Sequence, residues 1–62
     1  MTQKDFDATS WHKWQMAKVK IFDQEPTLLI VSVDFIKKQV FCRIDRSILK
    51  FDLEDIIEII EP

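Results

Sequence analysis

The longest nearly continuous apolar stretch of the chain covers residues 27–35, with the sequence TLLIVSVDF. Apolar side chains occupy both alternating faces at its start, which is typical of a central strand covered on two sides. One alternating set is predicted to be buried: Leu29, Val31, Val33 and Phe35. The other set is predicted to be only partly buried: Leu28, Ile30 and Ser32. The pattern therefore predicts a central strand around which the other elements are arranged.

Three further segments, residues 16–21, 40–44 and 48–51, alternate apolar and polar side chains with a period of two. This period is that of half-buried strands. The sets predicted to face the core are Ala17, Val19 and Ile21, then Val40, Cys42 and Ile44, then Leu49 and Phe51. Together with the central segment, they predict four antiparallel strands.

The end of the chain fits two periods. Leu53, Ile56, Ile57 and Ile60 have the spacing of an amphipathic helix, whereas the isoleucine-rich run favours a strand. We favour one tight helical turn over residues 53–55 followed by a fifth strand. The predicted fold is then mainly β, a small five-stranded barrel or strongly bent antiparallel sheet with one short helical turn. The alternative is a four-stranded sheet with a C-terminal helix.

Residues 1–9 have no apolar periodicity, so we expect a flexible N-terminal segment ahead of a single small domain over residues 10–62. Ser10 is a candidate cap for a helical turn carrying Trp11 and Trp14, and the alternative is that Trp14 begins the first strand. The chain has no glycine. We therefore expect type I turns with bulges in place of tight two-residue turns, which need positive φ.

Short strands at regular spacing, the turn-like Leu53, Glu54 and Asp55, and a terminal isoleucine strand resemble the SH3-like small barrels, including those encoded by phages and integrated elements of bacteria. The resemblance covers residues 14–61 and is one of pattern. It implies a five-stranded SH3-like barrel with a helical turn before the last strand. The glycine usual in the hairpins of such barrels is missing, and so is the tyrosine row that binds proline-rich peptides.

The composition gives little indication of a catalytic, cofactor or metal site. One cysteine and one histidine exclude an intrachain disulfide and leave too few ligands for a typical zinc site. Without glycine, the usual phosphate loops, dinucleotide fingerprints and nucleophile elbows are absent. Cys42 is better explained as a small buried residue than as a nucleophile paired with His12. A solvated acidic face explains the carboxylates Asp52, Glu54, Asp55 and Glu58 better than a cation site. We expect no enzyme activity, no cofactor and no metal.

No apolar run approaches the roughly 20 residues that span a bilayer, and the N-terminal residues contain no signal-peptide core. A lone thiol suits a reducing compartment. We therefore expect a cytoplasmic protein with no membrane role and no small-molecule substrate.

The hydrophobic content of 47% is high for a chain of 62 residues, because so short a chain has little interior. Part of the apolar surface is therefore expected to be an interface. We expect a non-catalytic module that binds a protein partner or a second copy of itself. The alternative is nucleic-acid binding through the basic middle of the chain, which precedes five acidic residues in residues 51–62. The candidate partner-binding residues are Trp11, Trp14, Lys18, Lys20, Phe41 and Arg43.

Overall fold

The computed structural model describes residues 1–60; the last two residues of the predicted domain lie outside the described part. The elements, in chain order, are helix α1 (Gln3–Ala8), strands β1 (Met16–Val19), β2 (Thr27–Asp34), β3 (Gln39–Ile44) and β4 (Ser47–Asp52), a 3-10 turn (Leu53–Asp55) and strand β5 (Ile56–Ile60).

The five strands form one open antiparallel sheet in the order β4-β3-β2-β1-β5. The predicted mainly β fold, with β2 at its centre and a helical turn before the last strand, is confirmed. The alternative of a C-terminal helix is wrong, since isoleucine, stiff at χ1, fits the pleated surface of a strand better than a helix. The sheet is not closed by hydrogen bonds, so β4 and β5 are its two edges.

The core lies on one face of this sheet. Its fully buried apolar residues come from α1 and from four of the strands: Phe6, Ala17, Val19, Val40, Cys42, Phe51 and Ile56. The alternation predicted for β1 and β3 is therefore confirmed for Ala17, Val19, Val40 and Cys42, whereas Ile21 and Ile44, also predicted to be inside, are only partly buried. The opposite, outer face carries the residues between them in sequence, such as Lys18, Phe41 and Arg43. Leu49, predicted to be inside, is 42% exposed because it lies on an edge strand.

The structure corrects the predicted burial of β2. The residues that pack against the core are Leu28, Ile30 and Val33. Val31 is 42% exposed and Phe35 is 57% exposed. The physical reason is a β-bulge: Ile30 pairs with Cys42 and Ser32 pairs with Phe41, so Val31 is inserted between two register pairs. An inserted residue reverses the alternation of everything that follows it.

The N-terminal residues, predicted to form a flexible segment, include a short helix that packs against the core. The hydroxyl oxygen of Thr2 caps α1 by accepting a hydrogen bond from the Asp5 N–H at 3.1 Å. Phe6 is 1% exposed and belongs to the core. One buried aromatic residue in a helix of six residues produces no period that could be read from the sequence.

In the absence of glycine, other residues adopt positive φ in the turns. In the connections between strands these are Phe22 at 56°, Lys38 at 55° and Asp45 at 52°. Ile44 pairs with Ser47, so the β3–β4 turn has only two residues. The expectation against tight two-residue turns is wrong here, because aspartate tolerates the left-handed conformation better than most residues.

Candidate functional site

An open groove of about 560 Å³ runs between residues 11–15 and the bulged part of β2. We call it the β2 groove. Its apolar walls come from Trp11, Trp14, Leu29, Val31 and Phe35. Its volume lies within the range of roughly 300–1,000 Å³ that is usual for binding sites.

The buried side chain of Gln15 shapes residues 11–15. Its Nε2 donates to the Ser10 carbonyl at 2.8 Å, and its Oε1 accepts from the His12 N–H at 2.9 Å. Trp14 has a φ of 72°, which turns the chain just before β1. The predicted helical turn capped by Ser10 is therefore not formed, and Trp14 does not begin the first strand. A glutamine that replaces missing backbone partners holds an irregular loop in one shape.

Phe6 of α1 supports two walls of the groove. Its ring centroid lies 4.9 Å from that of Trp11 and 6.4 Å from that of Phe35. The Trp11 Nε1 donates to the Phe6 carbonyl at 3.3 Å. Lys38 lies over the Phe6 ring, with Nζ 5.5 Å from the centroid, and forms an ion pair with Asp7. The helix thus fixes the positions of rings that come from separate loops.

The backbone of β2 is open beside the groove. The β1–β2 pairing ends at Met16 and Leu29, and one further bond joins the Ile30 N–H to the Gln15 carbonyl at 3.0 Å. Past that bond, the chain turns away at Trp14. Among residues 1–60, no strand pairs with residues 31–34 on this side, whereas β3 pairs with Ser32, Val33 and Asp34 on the other. Half of a central strand therefore behaves as an edge.

Only some of the residues predicted to bind a partner lie close to one another in the structure. Trp11 and Trp14 both line the groove. Phe41 and Arg43 lie on the outer face of β3, where they neighbour Ser32 and Leu29 of the groove strand.

The two predicted lysines lie elsewhere. Lys18 is on the outer face of β1, with Nζ 3.7 Å from a carboxylate oxygen of Glu25. Lys20 follows β1, and its N–H donates to the Asp55 carbonyl at 2.8 Å. Neither lysine lines the groove.

Three apolar walls of the groove were missed as site residues: Leu29, Val31 and Phe35. The sequence pattern assigned all three to the core. The one signal in the sequence that could have exposed the error is the small polar Ser32, which interrupts the apolar strand beside the bulge.

The residues considered for chemistry are not arranged for it. Cys42 is fully buried, and burial raises the pKa of its thiol to about 11. A thiol that stays protonated in the core is not a nucleophile, and His12 is exposed. Within residues 1–60, the carboxylates of Asp52, Glu54 and Asp55 lie within 4.8 Å of one another on the surface. An exposed acidic cluster of this kind needs no ion to explain it.

Comparison of the chain with known protein families, with curated proteins and with solved structures finds no match. The resemblance to SH3-like barrels therefore stays a prediction. Neither α1 nor the 3-10 turn, the helical elements of residues 1–60, is long and apolar enough to cross a membrane.

Proposed function

We propose that the protein is a non-catalytic interaction module that binds a short extended segment of a partner protein in the β2 groove. The observation that carries this proposal is the coincidence of an aromatic groove with an unpaired stretch of strand. Each feature alone is common on protein surfaces. Together they match the needs of a peptide that adds a strand to a sheet, with backbone bonds for affinity and side-chain pockets for specificity.

The apolar walls of the groove support binding, because their exposure to water is unfavourable and a bound partner would cover them. Trp14 is 70% exposed, Phe35 57% and Val31 42%. Contiguous apolar surface on a small protein commonly marks an interaction site. Tryptophan is also enriched among the residues that dominate binding energy.

The unpaired stretch sets the length of the ligand. Residues 31–34 of β2 would pair with about four residues of a peptide, since a strand rises roughly 3.3 Å per residue. Alternate side chains of that peptide would contact the aromatic walls. Lys13 lies at the groove and forms no ion pair within residues 1–60, so an acidic residue at one end of the peptide would complement it.

A second candidate function is the binding of single-stranded nucleic acid on the outer face of β3. Phe41 pairs across the strands with Lys50, and Arg43 follows on the same face. Bases of single-stranded nucleic acid stack on exposed aromatic rings, and neighbouring cations bind the phosphates. We rank it second because Lys18 is already paired with Glu25, and the net charge of −2 provides no general attraction for phosphate.

The proposal is tested by selecting peptides from a random library and measuring their binding to Trp14→Ala and Phe22→Ala. Phe22 is a matched control, since it is an exposed aromatic residue at positive φ outside the groove. We expect selected peptides rich in alternating apolar residues, and at least tenfold weaker binding to Trp14→Ala only. Backbone chemical shifts should change at residues 11–15 and 31–35.

Equal affinity of both variants, or a selection that yields no binder, would contradict the proposal. In that case a mobility shift with oligothymidine that weakens steeply with salt would support the second candidate.

A further inference from the structure

The β4 edge of the sheet is unusually exposed and apolar. In β4, Ile48 is 61% exposed and Leu49 is 42% exposed, and one side of the strand has no partner within residues 1–60. Natural proteins usually protect such an edge, because it can pair with another chain. We propose that two copies of this protein associate by antiparallel pairing of β4 with β4 across a twofold axis. This surface is separate from the β2 groove, and the inference does not depend on the proposed function.

The symmetry restricts the register. A twofold axis perpendicular to the sheet pairs the edges antiparallel and keeps both cores on the same face. Residues directly opposite each other must then belong to the same face of the sheet. Lys50 lies on the outer face, since it pairs with Phe41, and Leu49 lies on the core face, since it pairs with the buried Cys42. The twofold axis must therefore pass through a residue of β4 and cannot pass between two residues.

Charge selects among these registers. An axis at Lys50 would set two lysines directly opposite each other, and an axis at Ile48 would set Arg46 against Lys50 of the second copy twice. Like charges in opposite positions destabilise a sheet. An axis at Leu49 instead sets Arg46 against Asp52 of the second copy, again twice. An axis at Phe51 would also set Lys50 against Asp52, but it would pair only residues 50–52 of β4 with β4 of the second copy. The Leu49 register pairs most of β4 with its copy and adds opposite charges between Asp52 and Arg46, the turn residue just before the strand.

The apolar contacts agree with the same register. Leu49 meets Leu49 of the second copy on the core face, so that the two cores become continuous across the axis. On the outer face, Ile48 lies against the aliphatic stem of Lys50 of the second copy, a contact that leaves the ammonium group in water. The side chains that β4 exposes are thereby covered.

The β5 edge is less suited to the same pairing. It has comparable apolar exposure, with Ile57 43% exposed. Its charged residues, together with those of the preceding 3-10 turn, are all acidic: Glu54, Asp55 and Glu58. No symmetric register of β5 can pair opposite charges, so self-association is assigned to β4.

Sedimentation equilibrium from 10 µM to 1 mM tests the inference. One strand pair buries less surface than the roughly 1,200 Å² of a stable interface, so we expect a dimer with a dissociation constant in the micromolar range. Leu49→Lys should abolish the dimer, and Ile57→Lys, its matched control on the other edge, should not. Trp14→Ala should also leave the dimer intact, which separates this surface from the groove.

Charge exchange tests the register without disturbing apolar contacts. Arg46→Asp alone and Asp52→Arg alone should each weaken the dimer by about tenfold, because each sets like charges opposite each other twice. An equimolar mixture of the two variants should recover the wild-type affinity. A wild-type protein that stays monomeric at 1 mM, or a dimer that neither Leu49→Lys nor the charge variants weaken, would overturn the inference.

Discussion

Phe22 has a backbone conformation that aromatic residues rarely adopt. Its φ is 56° and its side chain is 94% exposed. Packing of the side chain therefore does not offset the unfavourable contact between its Cβ and the backbone. The left-handed conformation costs a residue with a Cβ roughly 1–2 kcal/mol. Trp14, Lys38 and Asp45 carry the same kind of cost. In a domain of this size, such costs are a visible part of the total stability.

Phe22→Gly should therefore stabilise the protein. We expect a gain of about 0.5–1 kcal/mol, since the relief of strain exceeds the greater freedom of glycine in the unfolded chain. Urea denaturation followed by circular dichroism measures this. Ile36→Gly is the control, because Ile36 is 93% exposed in a loop but has no positive φ. It should lower the stability or leave it unchanged; a gain equal to that of Phe22→Gly would contradict the explanation.

The thiol of Cys42 makes stability depend on pH above neutrality. Its pKa is raised by burial from 9.0 to about 11, so the unfolded chain releases this proton at lower pH than the folded protein. Stability is fully present below pH 9 and declines between pH 9 and 11. The loss from this group should be about 1 kcal/mol by pH 10.

Urea denaturation of wild type and Cys42→Ala, at pH 7 and pH 10 under reducing conditions, isolates this effect. Cys42→Ala is less stable at both pH values because of the cavity, but its stability should fall less as the pH rises. The chain has no tyrosine to obscure the comparison. Equal losses in both proteins would show that the thiol is not the cause.

Among the elements, β2 shows where sequence patterns fail. Strand positions followed from period-two alternation: β3, β4 and β5 lie within a residue of the predicted segments, and β1 begins at Met16 as predicted but ends early, at Val19. The buried face of β2 did not follow, because one inserted residue at Val31 reverses the alternation and costs little in local energy. The same insertion places Val31 in the groove. Of the groove walls, only Trp11 and Trp14 were recognised from the sequence, because tryptophan is enriched among residues that dominate protein interfaces.

Val31→Asp and Val40→Asp distinguish the two faces. Val31 is 42% exposed at the bulge, so its carboxylate stays hydrated and the variant should keep a cooperative thermal transition. Val40 is fully buried, and an unpaired carboxylate there should cost several kcal/mol. Thermal melts followed by circular dichroism should show Val40→Asp unfolded at room temperature. An unfolded Val31→Asp would mean that the bulge does not expose this residue.

At the scale of the whole molecule, some basic groups lie close to acidic groups that are distant in sequence. The chain has a basic middle and an acidic end, yet the fold brings several of these groups together. Lys18 of the middle lies directly across the strands from Glu58 of the end. Lys38 of the middle forms an ion pair with Asp7 near the start of the chain. The charge asymmetry along the sequence is therefore partly cancelled in space, and apolar surface is the stronger guide to where the molecule binds.

The pairing of β1 with β5 has a consequence for folding. Strands β2, β3 and β4 pair with their neighbours in sequence, but Met16 pairs with Ile60 near the far end of the chain. Joining distant segments has the largest loop-closure entropy and tends to slow folding. Residues 11–15 continue directly into β1, and the pairing of β1 with β2 places them beside the groove through contacts between neighbours in sequence. Strands β1 to β4, which carry both the groove and the β4 edge, need no such contact. We therefore expect β5 to join the sheet last and to be the first strand to leave it.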